Sequence, residues 1–479
     1  MALLAAAYLS IVAGCKVGPD FHSPDPSAPA GWNQPSTQPS TRATATADLA
    51  TWWSAFNDPK LDSLITRALV ENLDLKLAES RITQARAVRA GQVSGLWPFV
   101  GTQAGAQRAR SAAPAAGEHS LFQAGLDASW ELDIFGGIKR GVEAAEADIQ
   151  AAVEDRRDVR VTMISEIGLN YISLRSSQRQ IAISKKNYAA QEDTAAVTRK
   201  KLAGGIANRL DVVNAEAESA TTLANIPLLE SSARQSIYSL ALLLGRTPGD
   251  IEAELLPPEP DPCNLAEIPA GLPSELLRRR PDIRRAEAQL HGATARVGVA
   301  TADLFPKFSL TGSFGFQSGE LRSLANYDQR AWSIGPAVSW PLFDAGQIRA
   351  NIDVQNALQE QALLNYRKTV LTAIHDVQSA LAICAAEHDR RRALLAALAA
   401  NDEAVRLARR RYEGGEAEFL DVLIAQRSLY ASQLSLAISD QTLASGLVSL
   451  YKALGGGWNP AEIADTVPPT PPTTRPTAQ

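Results

Sequence analysis

The stretch Phe122-Gln-Ala-Gly-Leu-Asp-Ala-Ser-Trp-Glu-Leu-Asp-Ile134 alternates strictly between apolar and polar residues. Its odd positions include the three acidic residues Asp127, Glu131 and Asp133. Because successive side chains of a strand point to opposite faces, this pattern predicts a β-strand with one apolar and one polar face. The same alternation occurs in 308–317 and 332–342, and more weakly in 99–109. The sequence therefore predicts four strands of this kind.

Strands of about ten residues with one apolar and one wet face are typical of membrane β-barrels, although the strands of a soluble β-sandwich alternate as well. The barrel is favoured because tryptophans lie on the apolar face and only four such strands occur in 479 residues. Four strands cannot close a membrane barrel, and an unpaired strand edge in lipid is very costly. The barrel must be shared between chains. Two chains would give about eight strands and a filled lumen, whereas three would give about twelve and room for water.

The strands belong to a unit that occurs twice along the chain. At a shift of 210 residues, Trp130 coincides with Trp340 and Asp211 with Asp421, and upstream the shift is 208, as for Leu96 and Leu304. Each copy contains a helix, a β-hairpin, a very long helix, a tight turn and a second long helix. Two copies of one unit favour a quasi-symmetric assembly over a single catalytic cleft.

The long helices set the dimensions of each copy. Only two glycines interrupt 138–202, and 348–412 contains neither glycine nor proline. A helix of that length spans roughly 100 Å, several times the thickness of a bilayer. The Gly-Gly pairs at 204–205 and 414–415 end these helices where a left-handed cap is needed, so each copy turns back as a helical hairpin. The predicted fold class is mainly α, with long helical hairpins and a membrane β-barrel.

The N-terminus carries the pattern of an exported lipoprotein. Residues 2–14 form an apolar run of signal-peptide length, and the following Val12-Ala-Gly-Cys15 resembles a bacterial lipobox. Cys15 is therefore the predicted lipidation site, and Lys16 after it favours the outer over the inner membrane. The alternative is a buried N-terminal helix with an incidental cysteine. A signal peptide normally has a Lys or Arg before its apolar run, and none is present here.

The predicted domain organisation follows from these elements. It comprises a signal peptide (1–14), a lipidated tether (15–50), a first repeat (51–247) with a β-hairpin at 99–135, a proline-rich connector (248–281), a second repeat (282–457) with a β-hairpin at 307–344, and a disordered tail (458–479).

Composition and motifs argue against several other functions. The net charge of −5 and pI near 5.7 give no electrostatic reason to bind nucleic acid. Five histidines and three cysteines are too few and too scattered for a metal site. No HExxH, GxSxG or P-loop pattern occurs, so we expect neither catalysis nor a cofactor. Cys263 and Cys384 lie in different contexts and are expected to be free thiols, with Cys384 packed in a helical seam.

Four motifs resemble the TolC-type outer-membrane efflux proteins, specifically the lipoprotein branch (OprM/NodT-like) of RND efflux systems. They are Cys15-Lys-Val-Gly-Pro-Asp-Phe21, Trp52-Trp-Ser-Ala-Phe-Asn-Asp-Pro-Lys-Leu61, Arg280-Pro-Asp-Ile-Arg-Arg-Ala-Glu287 and Leu420-Asp-Val-Leu-Ile-Ala-Gln-Arg427. The resemblance implies a homotrimer with one twelve-stranded barrel in the outer membrane, continued through the periplasm by a coiled α-barrel. The connector would then lie in the equatorial region. It also implies two partners, a periplasmic adaptor protein and an inner-membrane proton-driven RND pump.

The resemblance also suggests roles for individual residues. Tyr412, Leu420 and Arg427 match positions at the closed periplasmic tip, and the alternative is that they only pack or cap the turn. Adaptor hairpins would dock at Gly204, Gly205, Gly414 and Gly415. Carboxylates at Asp127, Glu131 and Asp133 would make the lumen acidic and favour cations and neutral amphiphiles.

Three alternatives to a drug-efflux channel remain open at the level of sequence. The chain could be the exit duct of type I protein secretion or of metal efflux. It could also be a non-conducting structural lipoprotein that bridges the outer membrane and the periplasm. The amphipathic strands discriminate against the last, because a bridging protein does not need them.

Overall fold

The computed structural model describes residues 16–25, 49–111, 117–258 and 279–459. The predicted signal peptide, Cys15, Cys263 and the chain after Asn459 lie outside the described residues. The strands are β1 (Phe99–Ser111), β2 (Gly117–Leu132), β3 (Lys307–Ser318) and β4 (Arg330–Ser339). The helices are α1 (Pro59–Glu71), α2 (Leu73–Ser94), α3 (Gly137–Ala203), α4 (Arg209–Leu243), α5 (Pro248–Leu255), α6 (Pro281–Ala302), α7 (Gln347–Glu413) and α8 (Phe419–Ala453).

The elements of the two halves match in length. Helices α3 and α7 each contain 67 residues, and α4 and α8 each contain 35. The described residues form two compact units. Of the described residues, 16–25, 78–111, 117–155 and 282–369 form the sheet unit, and 49–77, 156–258, 279–281 and 370–459 form the hairpin unit.

The sheet unit contains one antiparallel sheet with the strand order β1-β2-β3-β4. Leu126 of β2 lies opposite Thr102 and Phe314, and Phe314 lies opposite Trp332. Residues directly opposite one another project from the same face of a sheet. The register therefore aligns the apolar positions of β2, β3 and β4 on one face and their polar positions on the other. Strand β1 follows this pattern only in part, with Thr102 on the apolar face and Phe99 opposite Ser129 on the polar face.

The hairpin unit has a hydrophobic core in which aromatic residues from distant parts of the chain meet. The Trp52 ring stacks on Tyr451 with centroids 5.2 Å apart. Asp58 caps α1 by accepting bonds from the backbone amides of Lys60 (2.9 Å) and Leu61 (3.2 Å). Its second carboxylate oxygen accepts a 2.6 Å bond from the Tyr171 hydroxyl. Burial, together with this bond, raises the pKa of Tyr171, so the phenol stays a neutral donor.

The long helices end as the two Gly-Gly pairs predict. Gly205 and Gly415 have φ values of 77° and 78°, the left-handed conformation that glycine adopts without strain. After the first turn, Asn208 and Asp211 form a reciprocal capping box that begins α4. Helix α4 continues through Pro227, which lacks a backbone N–H and so cannot donate to the helical ladder.

Candidate functional site

The polar face of the sheet carries two of the three acidic residues singled out in β2. Asp127 lies opposite Ser313, which in turn lies opposite Ser333, and the two serine hydroxyls are 2.8 Å apart. Glu131 is four residues further along the same face and lies opposite Ser309. Asp127 and Glu131 therefore belong to one polar surface lined by small hydroxyl side chains.

Asp133 lies one residue beyond the end of β2 and caps the next helix. Its carboxylate accepts bonds from the backbone amides of Ile138 (3.1 Å) and Lys139 (2.8 Å) at the start of α3. Asp344 does the same for α7, accepting from Gly346 (3.0 Å) and Ile348 (2.8 Å). Hydrogen bonds from the amides of Ile348 and Gly346 lower the pKa of Asp344, so the capping carboxylate stays ionised. The sequence does not indicate this capping role.

Two tryptophans near the ends of strands, Trp130 in β2 and Trp340 just after β4, bond to the chain that follows α2 and α6, respectively. The Trp130 indole donates a 3.0 Å bond to the Leu96 carbonyl, and the Trp340 indole donates a 3.0 Å bond to the Leu304 carbonyl. A buried or membrane-facing indole N–H needs such a partner. Alternation alone places these tryptophans on the apolar face; the bonds show that they also fix where strand and helix meet.

The turn of the second helical hairpin is held by a small cluster in the hairpin unit. Tyr412 is buried against Phe419, with ring centroids 5.8 Å apart. The Lys201 ammonium lies 3.8 Å from the Tyr412 ring centroid and donates a 2.6 Å bond to the Tyr412 carbonyl. The Tyr412 hydroxyl has no hydrogen-bond partner within the part of the chain that is described. Of the three predicted gate residues, Tyr412 is thus the one enclosed by its own chain.

The other two predicted gate residues lie on the surface of α8. The Leu420 side chain is 52% exposed. The Arg427 guanidinium forms an ion pair with Glu218 of α4. Its Nε and Nη2 atoms each lie 2.6 Å from the same carboxylate oxygen. Glu218 is only 12% exposed, whereas Arg427 is 57% exposed. The pair joins the return helices of the two halves.

Sequence reasoning missed Glu218 and Lys201. Arg427 lies seven residues after Leu420 and seven before Leu434, a spacing at which a coiled-coil helix carries apolar residues. An arginine at this position indicates a polar partner. Helix α4 offers both Glu216 and Glu218 near the right height, and the sequence cannot choose between them. The structure pairs Glu216 with Arg199, at 3.1 Å, and leaves Glu218 to Arg427.

The four glycines predicted as adaptor-docking positions lie at the two hairpin turns, which differ in chemistry. Ile206 follows the first pair and is 77% exposed, whereas Glu416 follows the second pair. A side chain at Gly205 or Gly415 would meet no atom within 4 Å. These positions need glycine for their backbone conformation and leave an open surface around the turn.

The described residues show little of the chemistry of metal or thiol sites. No group of three or more His, Cys, Asp and Glu among them is arranged to hold a metal ion. Cys384 is buried, and this burial raises the pKa of its thiol to about 11. The thiol is protonated at neutral pH and packs in the core of the hairpin unit.

Length and composition alone give one helix among the described residues that could cross a membrane. It is α7, whose most apolar 18-residue window has a mean hydropathy of 1.3 and is one-third buried. The core helices of soluble proteins pass the same test. This window is therefore weaker evidence for membrane insertion than the sheet with one apolar face.

The sequence matches the outer membrane efflux protein family over residues 64–246 and 272–456. Nodulation protein T of Rhizobium leguminosarum bv. trifolii is 35% identical over 95% of this chain and 97% of its own length. The probable efflux pump outer membrane protein TtgC of Pseudomonas putida is 32% identical, over 94% of each chain. Among solved structures, the outer-membrane channel OprN is 35% identical, covers 93% of this chain and all of its own, and gives a TM-score of 0.85.

The chain belongs to the outer membrane efflux protein family. The resemblance seen in the four motifs is confirmed, and so is the fold class, which is that of the trimeric outer-membrane channels. The protein is an outer-membrane efflux channel of the kind used in tripartite systems, in a family of channels rather than enzymes. Its location is the outer membrane.

Proposed function

We propose that three copies of this chain close one twelve-stranded barrel and conduct drugs or other small molecules passively to the exterior. The observation that carries the proposal is the sheet. In the described part of the chain its edge strands β1 and β4 each lack a second partner strand and, except for Phe99 at the start of β1, its exposed large apolar side chains lie on one face. That face carries Val100, Leu126, Leu132, Leu310, Phe314, Trp332, Ile334 and Val338. Because lipid cannot satisfy the edge groups of the backbone, β4 of one copy pairs with β1 of the next.

The proposal includes a lumen that is acidic on its polar face. Asp127 and Glu131 from each of three copies would place six carboxylates around the inner wall. A ring of carboxylates attracts cations and leaves neutral amphiphiles unhindered. Asp133 contributes less, because its oxygens are already occupied by the amides of Ile138 and Lys139.

The closed end of the channel is proposed to lie at the turn of the second hairpin. Three exposed Leu420 side chains would narrow the axis, and Arg427 would hold α8 against α4 through Glu218. Tyr412 would stabilise the turn from inside its own chain, through Phe419 and Lys201. Opening then requires the Arg427–Glu218 pair to break while the Tyr412 cluster stays intact.

The proposed partners are a periplasmic adaptor and an inner-membrane RND pump, which delivers the cargo. The adaptor hairpins would dock at the turns of Gly204, Gly205, Gly414 and Gly415, where the surface is open. The chain would be lipid-anchored through Cys15 and would extend into the periplasm.

The experiment that tests the assembly is the mass of the membrane-extracted protein in detergent, corrected for bound detergent. The N-terminal modification is read in the same sample by mass spectrometry. A trimer carrying acyl chains on Cys15 is the expected result. A monomer after gentle extraction would overturn the shared barrel, and a trimer with an unmodified N-terminus would overturn the anchor alone.

A second experiment tests conduction and cargo. The purified protein is incorporated into planar bilayers, and a deletion strain is compared with the parent against drugs, metal salts and secreted proteins. Cation-selective conductance with increased drug sensitivity is expected. Sensitivity to metal salts alone, or loss of a secreted protein, would favour one of the other exit ducts.

A further inference from the structure

Residues 16–25, here called the strap, lie along a groove of the sheet unit. The Val17 amide donates a 3.2 Å bond to the Phe135 carbonyl, three residues after the end of β2. The Lys16 ammonium lies 3.1 Å from a carboxylate oxygen of Glu143 in the first turns of α3. The beginning of the strap is thus fixed beside the junction of β2 and α3.

A single guanidinium holds the strap by its backbone. Arg140 is 1% exposed, and its Nε donates a 3.1 Å bond to the Val17 carbonyl. Its Nη2 donates to the Gly18 carbonyl (3.4 Å) and to the Asp20 carboxylate (2.8 Å), and its Nη1 donates to Glu143. Most acceptors of a fully buried charge therefore come from the strap. Without the strap, this charge would keep only Glu143, which is a costly state for a buried ion.

The strap fits the groove closely at Gly18. This residue has a φ of 87°, and a Cβ built on it would lie 2.5 Å from the Gly298 Cα of α6. A Cβ on Gly298 would in turn lie 2.9 Å from the Cδ and Nε of Arg140. Two glycines are needed for backbone, guanidinium and helix to meet.

The far end of the strap is held by side chains of α6 and α7. The Phe21 ring stacks on His291 with centroids 4.5 Å apart, and the Ser23 hydroxyl donates to Glu287. The Tyr366 hydroxyl donates a 3.4 Å bond to the Pro24 carbonyl. His291 also contacts Glu143, at 3.3 Å.

The groove is present in only one of the two halves. At the shift of 210 residues, Arg140 corresponds to Ala350, and at the shift of 208, His291 and Gly298 correspond to Thr83 and Ala90. None of these counterparts could make the contacts described. Three of the residues that bind the strap thus differ between the two halves, a signal that sequence reasoning overlooked.

We propose that the strap and its groove form a clamp for the membrane anchor, here called the anchor clamp. The clamp fixes the residue before Lys16 beside the end of β2. Consecutive Cα atoms are about 3.8 Å apart, so a lipid attached there has a set position relative to the end of β2. The length of the chain from 26 to 48 then does not affect the distance between the lipid and the sheet unit. The role of the clamp in anchoring rests on the proposed lipidation of Cys15, whereas binding of the strap does not.

Limited trypsin digestion of the full-length protein purified in detergent tests strap binding, because the bond after Lys16 is then accessible to the protease unless the groove covers it. The bond after Lys16 is expected to resist cleavage, and Gly298→Ala and Arg140→Met to speed its cleavage at least tenfold. Gly91→Ala is the matched control, because a side chain at Gly91 of α2 would meet nothing within 4 Å. Protection should persist in Cys15→Ser. Equal cleavage of Gly298→Ala and the unaltered protein would overturn the clamp, whatever the state of the lipid.

Two insertions test the consequence for anchoring. Ten Gly-Ser residues are added either between Cys15 and Lys16 or between Asp25 and Pro26, and the fraction of trimer in the membrane is measured. Only the first insertion should lower that fraction, and in Arg140→Met both insertions should act alike. Equal effects in the unaltered background, or none from either insertion, would overturn the proposal.

Discussion

The two halves of this chain are alike where strand becomes helix and different where helix turns back. Where strand becomes helix, Trp130 and Trp340 coincide at the shift of 210 and make the same bond. A capping carboxylate also occurs in both halves, displaced by one position: Asp133 accepts from the Ile138 amide and Asp344 from the equivalent Ile348 amide. At the hairpin turns, the Arg427–Glu218 pair has no counterpart, because the residues at the shift of 210 are Ala217 and Ser428.

The contacts that occur in both halves hold the structure together, whereas the contact found in one half only is available for a separate function. A barrel needs every strand-to-helix junction to have the same geometry, so both copies retain the same contacts. The closure proposed at the turn of the second hairpin needs a contact that can break, and only one helical hairpin has to supply it. The acidic residues illustrate both cases: a capping carboxylate occurs in both halves, as Asp133 and, displaced by one position, as Asp344, whereas Asp127 corresponds to Ala337.

The largest expected effect comes from placing a charge on the apolar face of the sheet. Leu126→Arg should abolish assembly, because an arginine at the membrane midplane costs roughly 2–4 kcal/mol per site and three copies share the barrel. Gln123→Arg, on the polar face of the same strand, should assemble and reduce cation selectivity. Heat-resistant trimer on a gel and single-channel currents measure the two outcomes. Assembly of Leu126→Arg would contradict the barrel.

A buried charge in the hairpin unit should show the next largest effect. Asp440 is 5% exposed and lies 2.7 Å from Arg179 and 2.6 Å from Arg391. Asp440→Asn should lower the free energy of unfolding by about 3 kcal/mol, because two arginines lose their shared carboxylate.

The repeat supplies the control for this change. Glu230 is the counterpart of Asp440 and forms an exposed pair with Lys185 at 3.3 Å. Glu230→Gln should cost less than about 1 kcal/mol. Thermal unfolding of the detergent-solubilised protein compares them. Equal losses would mean that burial of Asp440 carries no special weight.

Alternation and the Gly-Gly pairs predict most of the fold because both are local patterns, and the internal repetition shows that the same elements occur in both halves. The ends of α3 and α7 follow from the Gly-Gly pairs, and the four strands follow from the period of two residues. The partners of Arg427 and Arg140 could not be predicted in the same way. Their acceptors, Glu218 and the strap carbonyls, are 209 and more than 100 residues away, and only the packing brings them together. Cys15 is likewise predicted by its local motif alone.

The junction bonds should make equal, moderate contributions in the two halves. Trp130→Phe and Trp340→Phe each remove one indole donor and keep the apolar ring, so each should cost about 1 kcal/mol. Unfolding of the two single variants and of the double variant measures this. A large effect in one half only would contradict the view that the junctions are a repeated scaffold.

The smallest expected change in stability accompanies a clear change in function. Arg427→Gln removes an ion pair whose arginine is exposed and whose glutamate is largely buried, and should cost about 1 kcal/mol, yet it should increase the resting conductance, because α8 is no longer held to α4. Arg199→Gln is the control, since it removes a pair with Glu216 near the first hairpin turn in which both partners are exposed. It should leave the conductance unchanged. Planar-bilayer recordings of both variants decide between the two roles. Equal currents would mean that Arg427, like Arg199, only braces its hairpin, and the asymmetry of the turns would then need another cause.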